Sequence, residues 1–311
     1  MKLTSLVLLP FLLLAACGLR QTPLASQSSL LEARQEFRTT LIKQETIGET
    51  VPEPPSTLFR VVRYPSPAGN LAAYVSVPPS AERKHPAIIW LVGGFSNSIS
   101  ELAWADLPAE NDQSARAFRE AGIMMMYASL RGGNDNPGYI EGFYGEVDDV
   151  LAAAEYLAQQ EGVDPERIYL GGHSTGGTLA LLVAASTDRF RAIFSFGPTD
   201  DVGGYSSEYL PFDTSNRREL ELRSPVKWLH AIQSPTFVFE GTESPGNIFA
   251  LQALASASRN PLVYIHPVEN ADHFSVLAPV TRLVAQKILY DDIPNTTMLF
   301  TKRELAESLT R

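Results

Sequence analysis

The residues with the most chemical content are Gly172-His173-Ser174-Thr175-Gly176. A serine hydroxyl is a poor nucleophile until a base takes its proton and donors receive the oxyanion formed on attack. The pentapeptide fits the G-x-S-x-G pattern, in which a sharp strand-to-helix turn lifts the serine above a sheet. Its setting agrees, because the strand-like Arg167–Leu170 runs in and the apolar helix Thr175–Ala185 runs out. Gly172, Gly176 and Gly177 keep the flanks small enough for close backbone approach. The base must be a histidine further along the chain, since nucleophile, acid and histidine follow in that order. Of the five histidines, His85, His173 and His230 come too early, and His266 falls in an apolar strand where a packed core histidine is the ordinary outcome. His273, in the loop Asn270–Ser275, is the expected base. Four carboxylates are candidates to orient it: Glu240 and Glu243 after the strand Thr236–Phe239, and Asp200 and Asp201 after the strand before it. For the oxyanion, the expected donors are the amides of Thr175 and Gly94, the latter in Val92–Asn97, with Phe95 as alternate.

The elements that must position these groups alternate along the chain. Leu58–Tyr64 and Leu71–Val77 read as strands joined by the turn Ser66-Pro67-Ala68-Gly69. The continuous apolar run Pro86–Val92 reads as a strand buried on both faces. Helix Asn111–Ala121, strand Ile123–Leu130 and helix Gly145–Gln160 follow, then the elbow. Beyond it come strands Ala192–Phe196, Thr236–Phe239 and Pro261–His266, with helices Asn247–Ser256 and Val276–Tyr290. Such alternation predicts an α/β protein with a mainly parallel sheet, helices on both faces and an antiparallel N-terminal hairpin. Asp200 to about His230 breaks the rhythm and is either a cap over the site or a long connection. Thr301 and Glu304 have capping-box spacing for a final helix.

Composition narrows the function further. The 311 residues hold 35 acidic and 25 basic side chains, a net charge of −10, which argues against a nucleic-acid binder. A single cysteine excludes a disulfide within the chain and multi-cysteine zinc or iron–sulfur sites, and no metal or cofactor is expected. That cysteine ends a leader: Lys2, the apolar run Leu6–Leu14 and then Ala15-Ala16-Cys17. Leu14–Cys17 resembles the lipobox of bacterial lipoproteins. The resemblance implies lipidation at Cys17, attachment to a membrane in the bacterial cell envelope, and, with Gly18 rather than Asp next, the outer membrane facing the periplasm. The expected organisation is leader 1–17, tether and short helix 18–56, catalytic domain 57–291 and tail 292–311. Within the tether region, Leu30–Gln44 has the apolar spacing of an amphipathic helix.

Arg131-Gly132-Gly133, Gly142, Gly145, Asp148, the helix to Leu157, Val163–Ile168 and Gly172–Gly177 resemble the catalytic domain of prolyl oligopeptidase-type serine peptidases. The resemblance runs from about 85 to 290 and implies an α/β-hydrolase fold. Two departures stand out. Val92 occupies the place where the family often has a tyrosine donating to the oxyanion. The family's acid is usually an Asp three residues after the strand-end glycine, where this chain has Ser244; Glu243, one residue earlier and one methylene longer, is therefore preferred. The chain also leaves no room for the N-terminal propeller of those peptidases, which shifts the expected substrate toward a small ester or acyl compound. A short peptide is the alternative, and a non-catalytic lipoprotein scaffold retaining the fold is the reading from another class.

Overall fold

Strands covered on both faces cannot alternate polar and apolar residues, and the middle strands here do not. A computed structural model describes residues 29–80, 82–291 and 296–310. The expected leader, with Cys17 and Gly18, lies outside them. The strands are β1 (Phe59–Ser66), β2 (Gly69–Ser76), β3 (His85–Leu91), β4 (Met124–Ala128), β5 (Val163–His173), β6 (Ile193–Phe196), β7 (Thr236–Gly241) and β8 (Val263–Val268). The helices are α1 (Leu30–Gln35), α2 (Ala117–Glu120), α3 (Glu146–Ala158), α4 (Thr175–Ala184), α5 (Arg217–Glu221), α6 (Ile248–Ala257), α7 (Leu277–Leu289) and α8 (Lys302–Ser308). Every residue of β3, β4, β6 and β7 is buried.

One eight-stranded sheet runs β1-β2-β4-β3-β5-β6-β7-β8. The hairpin β1–β2 and the pairing β2–β4 are antiparallel; all pairings from β4 to β8 are parallel. Two apolar cores follow, one on each face. The first packs α3, α4 and α6 through residues such as Val150, Leu181 and Leu254; the second packs α2, α7 and α8 through Phe118, Val280 and Leu305. This is the expected α/β-hydrolase architecture, and it brings the C-terminal ends of β3, β5, β6, β7 and β8 to one edge.

Two expected helices shorten, for tertiary reasons. The amphipathic pattern Leu30–Gln44 yields only α1, because the following chain is drawn out into a strap. Thr40 N–H donates to Glu219 (2.9 Å), Ile42 N–H to Pro211 O (2.7 Å) and Ile47 N–H to Gly132 O (2.8 Å), while Leu41 bridges Phe212. Those bonds replace the helical ones that residues 36–44 would otherwise make. Asn111–Ala121 similarly reduces to a 3₁₀ turn at 109–111 and the single turn α2. Two strands run longer than expected: β5 starts at Val163, and β7 continues to Gly241, carrying Glu240 inside the sheet. The C-terminal capping box forms as the sequence requires, with Thr301 and Glu304 exchanging bonds at the start of α8.

The loop after β4 is fixed by a buried ion pair. Arg131 Nε and Nη2 donate to Asp149 (2.9 Å each), and the Arg131 amide donates to the same carboxylate (3.0 Å). Asp148, quoted above from the family pattern, instead faces Arg34 (2.8 Å). Removing one member of a buried pair strands the other charge. Asp149→Ala is expected to cost about 3–5 kcal/mol in urea unfolding, whereas Asp135→Ala, which breaks the exposed Arg63–Asp135 pair, costs about 1 kcal/mol or less.

Candidate active site

Strand β5 ends at His173, and Ser174 is the turning residue before α4. Its backbone (φ 56°, ψ −119°) lies in a region that non-glycine residues avoid. The turn is held because the Ser174 amide donates to Phe196 O at the end of β6 (2.8 Å). It is also held by packing: a Cβ at Gly177 would sit 2.6 Å from that same carbonyl, so only glycine allows α4 to approach β6 so closely. Ser174 is partly exposed, as a nucleophile must be.

His273 stands in the loop between β8 and α7, its amide donating to Pro245 O (2.9 Å). Its Nδ1 donates to Glu240 Oε2 (3.0 Å), and the pair is enclosed, with Glu240 fully buried. The expected acid, Glu243, is not the partner. It lies exposed in the turn after β7, its side chain accepting only from Thr242 Oγ1 (3.4 Å). The extra strand residues explain the difference: β7 runs to Gly241, so the inward-facing carboxylate at the strand end is already level with His273. Asp201 caps a turn through Gly203 N (2.8 Å) and Ser224 Oγ (3.0 Å), and Asp200 holds Val226 through its carbonyl; His273 bonds instead to Glu240.

Gly197 brings the nucleophile and the pair together. It follows Phe196, whose carbonyl holds Ser174, and it has φ +57°. A side chain here would collide with both the His273 ring and the Glu240 carboxylate. The serine and the histidine therefore flank one glycine. Among the described residues Ser174 Oγ has no hydrogen bond, and catalytic bonds of this kind are often loose before substrate arrives.

His173 adds a second imidazole, 4.5 Å from His273 between ring centroids. Its Nε2 donates to His273 O (3.0 Å), which fixes the tautomer and leaves Nδ1 buried without a partner among the described residues. Burial first, and then the neighbouring His273, push its pKa down to about 3. His173 therefore stays neutral near pH 7. His266, as expected, is a packed histidine stacked on Phe239 (5.2 Å).

Opposite the histidine lies the loop after β3. Thr175 Oγ1 donates to Gly94 O (2.6 Å), tying this loop to the first turn of α4. Among the described residues neither the Thr175 nor the Gly94 amide donates a hydrogen bond, and both flank a cavity of about 50 Å³. Val92 also lines it and offers no side-chain donor. The partial positive charge at the N-terminus of α4 favours an anion at the same place. Residues 200–230 act as a roof rather than a mere connection: Tyr209 lines the cavity and stacks on Phe95 (4.6 Å), and Tyr205 OH meets Thr178 on α4 (3.1 Å).

Sequence reasoning missed Gly197 and misplaced the acid. A signal for the acid was present, because Glu240 closes the unbroken apolar run Thr236–Phe239, where a carboxylate requires a dedicated donor.

A serine on a strained elbow, a carboxylate-oriented histidine and paired free amides on a mainly parallel sheet define an α/β-hydrolase. The prolyl oligopeptidase (peptidase S9) family model matches residues 110–276, more than half of the chain, and the chain belongs to that family. Among curated relatives, the uncharacterized peptidase YuxL of Bacillus subtilis is 27% identical over 138 residues, covering 39% of this chain and 21% of the relative. The thiohydrolase aneE of Aspergillus aculeatus is 32% identical over 126 residues, covering 38% and 35%. Among solved structures, a Mycobacterium tuberculosis puromycin-hydrolyzing peptidase aligns with TM-score 0.60 at 21% identity, over 77% of this chain and 40% of that one. The Pyrococcus horikoshii acylaminoacyl peptidase aligns with TM-score 0.61 at 17% identity, over 80% and 44%. The chain thus spans less than half the length of each of these proteins.

The buried imidazoles set a pH dependence. His173 and His266 (pKa about 4, lowered by burial) titrate near 6.5 when unfolded. Between pH 6.5 and 4 the unfolded chain holds more protons, so stability falls as pH falls through this interval. The urea midpoint is expected to drop across it, and His266→Phe, which keeps the stack with Phe237, Phe239 and Phe300, should flatten part of the slope. An unchanged slope would remove His266 as a cause.

Proposed function

We propose that this chain is a serine hydrolase that cleaves the acyl bond of short peptides or aminoacyl amides, and of small esters, through an acyl-enzyme on Ser174. The observation that carries the reading is the enclosed Glu240–His273 pair, brought to the Ser174 elbow across Gly197. In this reaction His273 Nε2 takes the Ser174 proton as Oγ attacks the carbonyl carbon. The tetrahedral oxyanion is received by the Thr175 and Gly94 amides. His273 then returns the proton to the leaving amine or alcohol, and water repeats the sequence to free the acid. Glu240 keeps Nδ1 protonated and stabilises the imidazolium as it forms. Family membership supports a peptidase, and the puromycin-hydrolyzing and acylaminoacyl neighbours support compact substrates. The roof from residues 200–230 also favours small substrates. Two glycines and a valine in the loop after β3 supply no side-chain donor, which suits esters as well as amides.

A fluorophosphonate probe is expected to label Ser174 in the folded protein; no labelling would end the hydrolase reading. Glu240→Gln should lower kcat for a p-nitrophenyl ester by roughly 10²- to 10⁴-fold while leaving KM near its starting value. Glu243→Gln should stay close to the unaltered enzyme, and the opposite ranking would return the acid role to Glu243.

The export reading rests on Lys2, the run Leu6–Leu14 and Cys17. On it the enzyme is lipidated at Cys17 and held to a membrane of the cell envelope, where several acyl chains give a stable anchor. Cys17→Ala is expected to move the protein from the membrane pellet to the soluble fraction; unchanged fractionation would refute the anchor.

A further inference from the structure

The cavity beside the oxyanion loop has an acidic wall that proton transfer from Ser174 does not use. Glu146, the first residue of α3, lines it together with Gly94, Phe95, Thr175 and Tyr209. Its side chain is 1% exposed. Oε1 accepts from the Glu141 amide (2.7 Å) and from Asn97 Nδ2 (3.0 Å). Oε2 is buried and has no donor among the described residues. A carboxylate oxygen in that condition is costly, unless a ligand supplies what the chain does not.

Among the described residues, the two guanidiniums that act on it are committed elsewhere. The donors of Arg131 are committed to Asp149 and Glu141, with Nη1 at 2.6 Å from Glu141. Arg223 is committed to Glu219, Thr39 and the Glu141 carbonyl. These two guanidiniums face four carboxylates: Asp149, Glu141, Glu219 and Glu146. Ionised, the four carboxylates outnumber the two guanidiniums, and Glu146 lines the cavity. Burial raises the pKa of Glu146, with Arg131 and the two donors on Oε1 acting against that rise.

Resting on the serine-hydrolase reading, we propose that Glu146 is a specificity determinant that receives a protonated primary amine carried by the acyl part of the substrate. The ammonium donates to Oε2 and restores the charge balance of the cluster, while Phe95 and Tyr209 enclose the carbon atoms beside it. A cavity of about 50 Å³ suits a compact ammonium better than a guanidinium. The amine has two chemical sources, the α-amino group of an unblocked aminoacyl substrate or the side chain of a lysyl residue.

Two pairs of p-nitroanilides separate them: alanyl against acetyl-alanyl, and acetyl-lysyl against acetyl-norleucyl. The charged member of one pair is expected to have kcat/KM higher by about tenfold or more, mostly through KM. Glu146→Gln should bring that ratio near one, and Glu146→Asp should restore part of it. A merely structural Glu146 would lower both members of each pair alike and leave the ratios where they were, which overturns the proposal. Equal rates within both pairs for the unaltered enzyme overturn it as well. Fluorophosphonate labelling of Ser174 is measured alongside. Labelling without amine preference sinks this inference and spares the hydrolase; no labelling sinks both. Should Glu146→Gln fail to fold, methylammonium is added to the unaltered enzyme instead. It should raise KM for a neutral ester without changing kcat, and no effect counts against the proposal.

Discussion

A carboxylate that water cannot reach stays in a fold only where something donates to it. Among the described residues Glu240 has one such bond, from His273 Nδ1, while its second oxygen lies buried without a partner. That contact joins the end of β7 to the loop before α7, two places also linked by the backbone bonds from His273 to Pro245 and from Glu243 to Ala271. It also fixes which ring nitrogen carries the proton, and so leaves Nε2 as the nitrogen with a free lone pair. The remainder of the site is arranged around it: Gly197 leaves it space, His173 holds the loop carbonyl, and β6 supports the elbow from below.

The sheet explains why so many distant residues meet. In a parallel array every strand delivers its C-terminal end to the same edge, and a change in strand order leaves a crevice there. β5 contributes Ser174, β3 the glycine loop, β7 the carboxylate and the loop after β8 the histidine. No element needs an irregular path to bring its side chain in. Strain in the backbone of Ser174 holds the hydroxyl out of the turn, and Asn270, in the loop that carries His273, also has a positive φ (63°).

The strand and helix sequence was largely legible before any coordinates, since buried parallel strands and amphipathic helices leave strong periodic marks. So were Ser174 and His273, each flagged by residue type, order and its place at an element's end. Glu240 was harder because its role depends on how far β7 extends, and strand ends are set by pairing with a neighbour, here Glu240 beside Pro267 of β8. Gly197 left no local signal, because its requirement comes from side chains contributed by two other segments. The helix expected over Leu30–Gln44 failed for the same reason: its partners, Pro211, Phe212 and Glu219, lie far away along the chain.

The strap that replaces this helix touches both walls of the cavity. Residues 39–42 fasten the segment that leads from Tyr209 to α5, and residues 45–48 fasten the loop from Gly132 to Ile140. The two walls therefore share a clamp, and the aperture between them is governed by how many residues the clamp contains. Lengthening or shortening this stretch would resize the doorway with no change to any reacting group, which makes the N-terminal segment a tuning element for which molecules gain entry.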